Sequence, residues 1–399
     1  MSESFNYFLP TKIMFGMNKI DQLSTITLPG TKALIVTTSG GSIIRNGSLD
    51  RLKKALEERG IDYEIFAKVN ANPDTASIAL GASLAKETSC DFVIGLGGGS
   101  AIDAAKAIAV LSKNGTDFWN YIQRGSGGKK YPENGALPII AIPTTAGTGT
   151  EADPWLVVSN HETDEKIGCG WDFTYPVLSI VDPSLMMSVP QALTAMQGMD
   201  AFFHAAEGYI ASCATPVSEM FSLQAISLLA AYLPTAVKNG SDKEARTKVA
   251  WASTAAGIVE SLSDTVSQHY VSHAITALHE NVPHGAALIA LCVSYFSVFV
   301  DTIPEKLATM ATAMGAEKQF SSPREGALCF IDLLKKLIAD IGMADLDLKD
   351  YGVSESEAAA IAHKAYVTDG HLFGITPADI SETDMTQIII ESIRGHYHE

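Results

Sequence analysis

The feature that most constrains the fold is a change in sequence pattern near Pro190. Before it, short apolar runs that favour strands alternate with segments of helical spacing. Strands are predicted at 32–37, 63–66, 91–95 and 137–142, and helices at 49–59, 76–87 and 101–112. Strands that are apolar throughout are buried on both faces. This half is therefore predicted to be a Rossmann-like α/β domain, a parallel sheet covered by helices.

The second half is predicted to be entirely helical. After Pro190 the chain is rich in Ala, Leu and Ser, and helical spacing recurs as far as residue 365. We therefore expect an α/β domain at 1–188 and an all-α domain at 189–399.

Composition excludes several classes of protein. Of the 399 residues, 47% are hydrophobic and only 18% are charged, which excludes a disordered chain and favours a large core or a homo-oligomer, dimer or larger. A net charge of −17 disfavours nucleic acid and membrane as partners. The five cysteines are widely scattered, so neither disulfides nor a thiolate zinc site is expected. With no signal peptide pattern, we expect a cytoplasmic protein.

A glycine-rich loop joins the strand at 91–95 to the helix at 101–112. It contains Gly97, Gly98, Gly99 and Ser100. Glycines let a backbone approach a phosphate, and a new helix offers free N–H groups and the positive end of its dipole. The loop predicts a phosphate site, with a tight turn as the alternative. Asp103 is either a cofactor residue or a charge that compensates the helix dipole.

A second loop of small and hydroxyl residues follows the strand at 137–142. It spans 143–151 and includes Thr144 and Thr145. Ligands of open α/β sheets bind at the carboxyl ends of strands, so two such loops favour a binding site over ordinary polar turns.

Two pairs of potential metal ligands lie in the second half. Asp200 and His204 are four residues apart, as are His269 and His273, and this spacing places each pair on one helix face. His284 follows a proline. One carboxylate with neutral imidazoles suits Fe²⁺, Zn²⁺, Co²⁺ or Ni²⁺ rather than Mg²⁺ or Ca²⁺. The spacing does not decide which of His269 and His273 is a ligand.

A series of six motifs along the chain resembles the iron-containing (group III) alcohol dehydrogenase family. They are PTKIMFG at 10–16, GGGSAIDAAK at 97–106, PTTAGTGTE at 143–151, GMDA at 198–201, HAAEGY at 204–209 and PHG at 283–285. The resemblance implies an enzyme that transfers hydride between a nicotinamide cofactor and a small primary alcohol or aldehyde. The segment at 370–377 departs from the family pattern, so the resemblance does not identify the substrate.

The resemblance also implies roles for individual residues. Fe²⁺, or alternatively Zn²⁺, would be held by Asp200, His204, His269 and His284, and His273 would be a catalytic proton relay. Lys166 would lie near the nicotinamide ribose, with a solvated loop charge as its alternative. The implied cofactor-binding residues are Thr38, Asn72, Gly98, Gly99, Ser100, Asp103, Thr144, Thr145, Asp153 and Lys166.

The segment after the first strand bears on cofactor choice between NADP(H) and NAD(H). Family enzymes that prefer NAD often carry an acidic residue there, which binds the ribose 2′-OH and repels a 2′-phosphate. Thr38 stands at that position, and the first basic residue after it is Arg45. We therefore expect NADP(H) to be preferred, with NAD(H) also used.

Two rival functions belong to other classes. Dehydroquinate-synthase-like lyases share the two-domain plan with a nucleotide and a metal, but they need basic residues for a phosphorylated substrate. The predicted metal region is poor in Lys and Arg. The second rival, a cofactor-binding module without activity, is disfavoured by the complete set of ligands.

Overall fold

The computed structural model describes residues 4–317 and 319–394. They form two compact units. One unit is Leu9–Val189, and the other contains residues 4–8 together with the chain from Pro190 onward. Residues 4–8 thus group with the second unit, whereas the sequence pattern had assigned them to the first.

The first unit is built on a parallel sheet. The strands of the chain are β1 (Lys12–Phe15), β2 (Lys32–Thr38), β3 (Asp62–Val69), β4 (Phe92–Gly97), β5 (Ile139–Pro143), β6 (Trp155–Asn160), β7 (Glu165–Gly170) and β8 (Leu178–Val181). Six of them pair in parallel in the order β1-β8-β5-β4-β2-β3, and β6 and β7 form a separate antiparallel pair. The predicted Rossmann-like sheet is confirmed.

The apolar runs of the strands reflect burial on both faces of the sheet. In β2, Leu34 and Val36 belong to one apolar core, whereas Ala33 and Ile35 belong to another. The helices of this unit are α1 (Ser42–Arg45), α2 (Ser48–Glu57), α3 (Thr75–Glu87) and α4 (Gly99–Asn114). Because side chains alternate across a strand, a run buried on both sides must be apolar at every position.

The direction in which the chain adds strands to the sheet reverses at β2. β3 extends the sheet on one side of β2, and β4 lies on its other side. Open α/β sheets bind ligands outside the carboxyl ends of their strands at such a switch point. The loop at 39–41 after β2 and the glycine loop after β4 both lie at this point of the sheet.

The second unit is helical throughout its regular elements, as predicted. Its helices are α5 (Gln191–Ile210), α6 (Pro216–Lys238), α7 (Lys243–Leu262), α8 (Ser267–Leu278), α9 (His284–Ser297), α10 (Pro304–Ala313), α11 (Pro323–Asp340), α12 (Ala358–Asp369), α13 (His371–Ile375) and α14 (Glu382–Arg394).

Local sequence fixes where these helices begin. Thr215 caps α6 by accepting a hydrogen bond from the backbone N–H of Ser218, and proline follows as the first helical residue. Asp242 caps α7 in the same way. Of the described helices, α6 alone is long and apolar enough to cross a membrane. It packs along α5 and α7, and a core helix has the same length and composition.

Candidate metal and cofactor sites

The residues predicted as metal ligands meet around one carboxylate oxygen. Oδ1 of Asp200 lies 3.4 Å from Nε2 of His284, 3.7 Å from Nε2 of His269 and 4.0 Å from Nε2 of His204. Asp200 and His204 lie one turn apart on α5, His269 is near the start of α8, and α9 begins at His284. Three helices therefore bring the four side chains together.

The donor atoms of this cluster fit a divalent transition metal. Oδ1 of Asp200 and Nε2 of His269 are buried, and neither has a hydrogen-bond partner among the described residues. Buried polar atoms in this state are costly. Asp200, His269 and His284 place their ligand atoms within 4.8 Å of one another. A carboxylate oxygen with imidazole nitrogens is a donor set for Fe²⁺ or Zn²⁺.

The Asp200 carboxylate is ionised despite its burial. Burial by itself raises the pKa of Asp200, but interactions with His204, His269 and His284 outweigh it and lower the pKa well below its usual range. The cluster therefore holds a negative charge at its centre across the physiological pH range.

Glu207 fixes the orientation of the His269 ring. Its Oε1 accepts a hydrogen bond from Nδ1 of His269 at 2.6 Å, and its Oε2 accepts one from the backbone N–H of Val266 at 2.9 Å. Burial alone lowers the pKa of His269, but the carboxylates of Glu207 and Asp200 raise it to about 10. Because Nδ1 donates to Glu207, Nε2 is the ring nitrogen that faces Asp200.

The His284 ring is held in a comparable way. Oγ of Ser272 lies 2.6 Å from its Nδ1, which leaves Nε2 directed toward Asp200. Sequence reasoning singled out neither Glu207 nor Ser272. Glu207 carries a detectable signal, because it follows His204 by three residues and so lies on the same face of α5.

The structure distinguishes the histidines that spacing alone did not. The ring of His273 lies beside those of Tyr270 and His284, with centroids 5.4 and 5.1 Å away, whereas Nε2 of His269 is 3.7 Å from Oδ1 of Asp200. His279 pairs instead with Glu357, with Nε2 3.1 Å from Oε1. The geometry favours His269 over His273 as the ligand from α8.

A second carboxylate lies beside the cluster and was not predicted. Oε2 of Glu260, on α7, is 3.6 Å from Nε2 of His204. Its sequence signal is weak: a single acidic residue that follows the apolar run at 255–259.

The two predicted cofactor loops pack directly against each other. Gly97 has a φ of +154°, which side chains rarely adopt, and α4 begins two residues later. A Cβ on Gly98 would lie 3.1 Å from Oγ1 of Thr145, and one on Gly99 would lie 2.6 Å from Cγ2 of Thr148. The glycines thus permit the close approach of the two loops, and no side chain caps the start of α4 by a hydrogen bond.

Three predicted cofactor residues form one hydrogen-bonded cluster at this helix start. Nζ of Lys166 donates to Oδ1 of Asn72 at 3.0 Å, and the backbone N–H of Asn72 donates to Oγ of Ser100 at 3.3 Å. Asn72 adopts a left-handed conformation, with φ of +65°. Lys166 is buried on β7, so the alternative of a solvated loop charge is wrong.

Asp103 and Asp153 belong to a buried network. Oδ1 of Asp103 accepts from Oγ1 of Thr150 at 2.8 Å and Oδ2 accepts from the N–H of Val157 at 3.0 Å. Lys106 donates to Oδ1 of Asp153 at 3.1 Å. Burial raises the pKa of Asp103, and burial with the nearby Asp103 raises that of Asp153 to about 7 despite Lys106. These contacts indicate a structural role, and the cofactor role of both stays a prediction.

The remaining predicted cofactor residues lie at the carboxyl ends of strands. Thr38 ends β2, and Thr144, just after β5, donates its N–H to the carbonyl of Gly97 at 2.8 Å. Nη1 of Arg45 donates to the carbonyl of Gly40 at 2.8 Å. The guanidinium therefore folds back over the loop that follows Thr38.

Comparison with known proteins identifies the family. Residues 10–183 match the model of iron-containing alcohol dehydrogenase, and residues 194–393 match that of the C-terminal region of the Fe-containing alcohol dehydrogenase family. A 1,3-propanediol dehydrogenase of Citrobacter freundii is 34% identical over 387 residues, 96% of this chain and 97% of that one. A choline dehydrogenase of Bacillus subtilis (strain 168) is 32% identical over 384 residues, 96% of this chain and 93% of that one.

Solved structures of alcohol dehydrogenases have the same fold as this chain. An archaeal halo-thermophilic alcohol dehydrogenase from a Red Sea brine pool superposes with a TM-score of 0.92 at 31% identity, covering 98% of this chain and 100% of that one. For a 1,3-propanediol oxidoreductase the TM-score is 0.89 at 33% identity, with the same coverage of 98% and 100%. As its motifs predicted, this chain belongs to the iron-containing alcohol dehydrogenase family of oxidoreductases.

Proposed function

We propose that this chain is a metal-dependent, NAD(P)(H)-linked enzyme that interconverts small primary alcohols and their aldehydes. The observation that carries the proposal is the buried oxygen of Asp200 that faces the Nε2 atoms of three histidines at 3.4 to 4.0 Å. Relatives named 1,3-propanediol dehydrogenase and NAD-dependent methanol dehydrogenase support small primary alcohols as the substrate class.

In this proposal Asp200, His204, His269 and His284 hold Fe²⁺, with Zn²⁺ as the alternative ion. When bound, the cation supplies a Lewis acid for the substrate oxygen and the nicotinamide supplies or accepts the hydride. Glu207 and Ser272 hold the rings of His269 and His284, so that their Nε2 atoms are ready to bind without reorganisation. The helical domain at 189–399 is thus the metal domain.

His273 is proposed to carry the proton. It is half-buried, and its ring lies beside that of His284. An imidazole titrates in the working pH range, so His273 can pass the proton of the alcohol to solvent.

The domain at 1–188 is proposed to bind the dinucleotide. Gly98, Gly99 and Ser100 would hold the pyrophosphate at the N-terminus of α4, which has no side-chain cap. Lys166 and Asn72 would contact the cofactor from beside Ser100, to which Asn72 is hydrogen-bonded. Thr144 and Thr145 would line the same site from the neighbouring loop. The glycine loop after β4 and the sheet's switch point support this placement.

We also propose that the enzyme is cytoplasmic and forms a homo-oligomer, a dimer or larger. The scattered cysteines support a reducing compartment such as the cytoplasm. The low charged fraction of 18% supports a subunit interface. Light scattering coupled to size-exclusion chromatography measures the assembly directly.

The proposed function is tested with protein reconstituted anaerobically with Fe²⁺. We expect oxidation of NADPH or NADH with small aldehydes such as 3-hydroxypropanal, and the reverse reaction with the matching alcohols. Metal-loaded protein that turns over no member of an aldehyde and alcohol panel with either cofactor would contradict the proposal. It would favour a lyase or a binding module.

Gly98→Val is expected to raise the KM for the cofactor at least about tenfold, a loss of about 1.4 kcal/mol or more. The new Cβ would lie 3.1 Å from Oγ1 of Thr145, and its methyl groups would cover the helix N-terminus. Steady-state kinetics measure the KM, and the metal content, which depends on the other domain, is the internal control. An unchanged cofactor KM would remove the glycine loop from the binding site.

Thr38→Asp is expected to lower the ratio of kcat/KM for NADPH to that for NADH by about 100-fold, since juxtaposed like charges cost several kcal/mol. The wild type is expected to prefer NADPH, because Thr38 does not repel a 2′-phosphate and Arg45 folds over the adjacent loop. Thr38→Asn is the uncharged control of similar size. A wild-type kcat/KM for NADH well above that for NADPH would show that the preference is wrong.

A further inference from the structure

We propose that Lys106 is a positioning residue for dinucleotide binding. It joins α4, the helix that begins at the glycine loop, to the end of the loop at 143–151 and the residues that follow it. The two loops would thereby keep one arrangement before the cofactor arrives. This inference rests on the proposed dinucleotide site at these loops.

Lys106 is completely enclosed, although lysine is normally an exposed residue. Its Nζ donates to Oγ1 of Thr150 at 2.8 Å, to the carbonyl and Oδ1 of Asp153 at 2.9 and 3.1 Å, and to the carbonyl of Trp155 at 2.6 Å. All four acceptors belong to residues 150–155. A buried ammonium is costly unless it is paired and hydrogen-bonded, so these contacts fix the segment at 150–155 against α4.

Asp103 holds the same segment from one turn earlier on α4. Its Oδ1 accepts from Oγ1 of Thr150 at 2.8 Å, and its Oδ2 accepts from the N–H of Val157 at 3.0 Å. The hydroxyl of Thr150 therefore accepts from Lys106 and donates to Asp103. The other buried residues of α4 are Ala, Ile, Val and Leu, so this network is the polar contact of an apolar helix. Buried polar networks whose members are hydrogen-bonded make their surroundings rigid.

The loop at 143–151 is attached at both of its ends. At its start, the N–H of Thr144 donates to the carbonyl of Gly97 at 2.8 Å. At its end, Thr150 is held by Lys106, as is Asp153 just beyond it. The residues between these attachments pack against the glycine loop. Without Lys106 the second attachment is lost, and the cofactor itself would have to order the loop, which weakens binding.

The test compares metal-loaded wild type with Lys106→Met, which keeps an unbranched side chain without the charge. We expect the Kd for NADPH or NADH, whichever the wild type binds more tightly, to rise about tenfold or more, because side chains ordered only on binding each reduce affinity. Titration of the nicotinamide fluorescence measures this Kd without turnover. The thermal midpoint should also fall, so binding is measured where circular dichroism shows the variant folded.

Asp91→Ala is the matched control. Asp91 lies in the same domain, immediately before β4 and therefore at the opposite end of the strand from the glycine loop. Its carboxylate accepts from the N–H groups of Thr31 and Lys32 at 2.8 and 2.9 Å. Its loss should lower the thermal midpoint and leave the cofactor Kd unchanged. An equal rise in Kd for Asp91→Ala and Lys106→Met would reduce the effect to general destabilisation and overturn the inference.

Thr150→Val and Thr150→Ser decide the matter even if Lys106→Met does not fold. Valine has the shape of threonine without the hydroxyl that joins Lys106 to Asp103, whereas serine keeps it. We expect Thr150→Val to raise the cofactor Kd about threefold or more, and Thr150→Ser to stay near the wild-type value. The kcat at saturating cofactor should remain near that of the wild type in both. An unchanged Kd in Thr150→Val, or equal losses in the two variants, would overturn the inference.

Gly98→Val separates the failure of this inference from that of the proposed function. If Gly98→Val weakens cofactor binding while Lys106→Met does not, the dinucleotide site is correctly placed and only the positioning role is wrong. If neither variant weakens binding, the dinucleotide binds elsewhere and both proposals fail.

Discussion

His269→Ala is expected to leave the protein without its metal ion and to lower kcat/KM about 1,000-fold or more. Its Nε2 is buried 3.7 Å from Oδ1 of Asp200 without a hydrogen-bond partner among the described residues, as expected of a ligand. A Lewis acid contributes several kcal/mol to such a reaction, and each 1.36 kcal/mol is worth about tenfold in rate. Elemental analysis of the purified protein measures the metal, and steady-state kinetics measure the rate.

The same substitution should lower the thermal midpoint. It leaves the fully buried carboxylate of Glu207 without its imidazole donor, and breaking a buried ion pair costs about 3–5 kcal/mol. Metal binding is therefore measured at a temperature where circular dichroism shows the variant folded. His279→Ala is the control, since His279 pairs with Glu357 and should keep the metal. A folded His269→Ala variant with a full complement of metal would exclude His269 as a ligand.

The sheet was predictable because burial on both faces leaves a simple trace in the sequence. β4 and β5 contain no polar side chain and β2 is apolar from Ala33 to Val36, and each strand was predicted to within about two residues. The pair β6–β7 was not predicted. Only every second residue of β6 is buried, and the sequence of β7 contains two glycines and no run of β-branched residues. β7 is a strand because it pairs with β6, and local composition does not predict that pairing.

The metal site was predictable to the extent that its residues share a helix face. Asp200 and His204 on α5 signal the site by their spacing alone. Glu260 and Ser272 were missed because they reach the cluster from the packing of separate helices, which spacing within one helix does not record. The place of Asp103 beside the glycine loop suggested a cofactor role, which stays a prediction. What the sequence did not show is that its oxygens accept hydrogen bonds from Thr150 and Val157.

His273→Ala is expected to keep the metal and to lower kcat about 100- to 10,000-fold, the usual contribution of a general acid or base. The ring of His273 lies beside that of His284, whereas the nitrogens that face Oδ1 of Asp200 belong to His204, His269 and His284. Removal of His273 should therefore interrupt proton transfer and leave the donor atoms in place. Elemental analysis and kcat, measured on the same preparation, separate the two effects.

Added imidazole provides a sharper readout for His273→Ala. The substitution opens space in a half-buried position next to Tyr270, which free imidazole can enter. If His273 carries the proton, imidazole partly replaces it and kcat rises with imidazole concentration. If His273 only makes a structural contact, imidazole does not restore kcat. Loss of metal from the variant would instead make His273 a ligand. A wild-type kcat with full metal content would show that the proton leaves the substrate by a route that does not include this side chain.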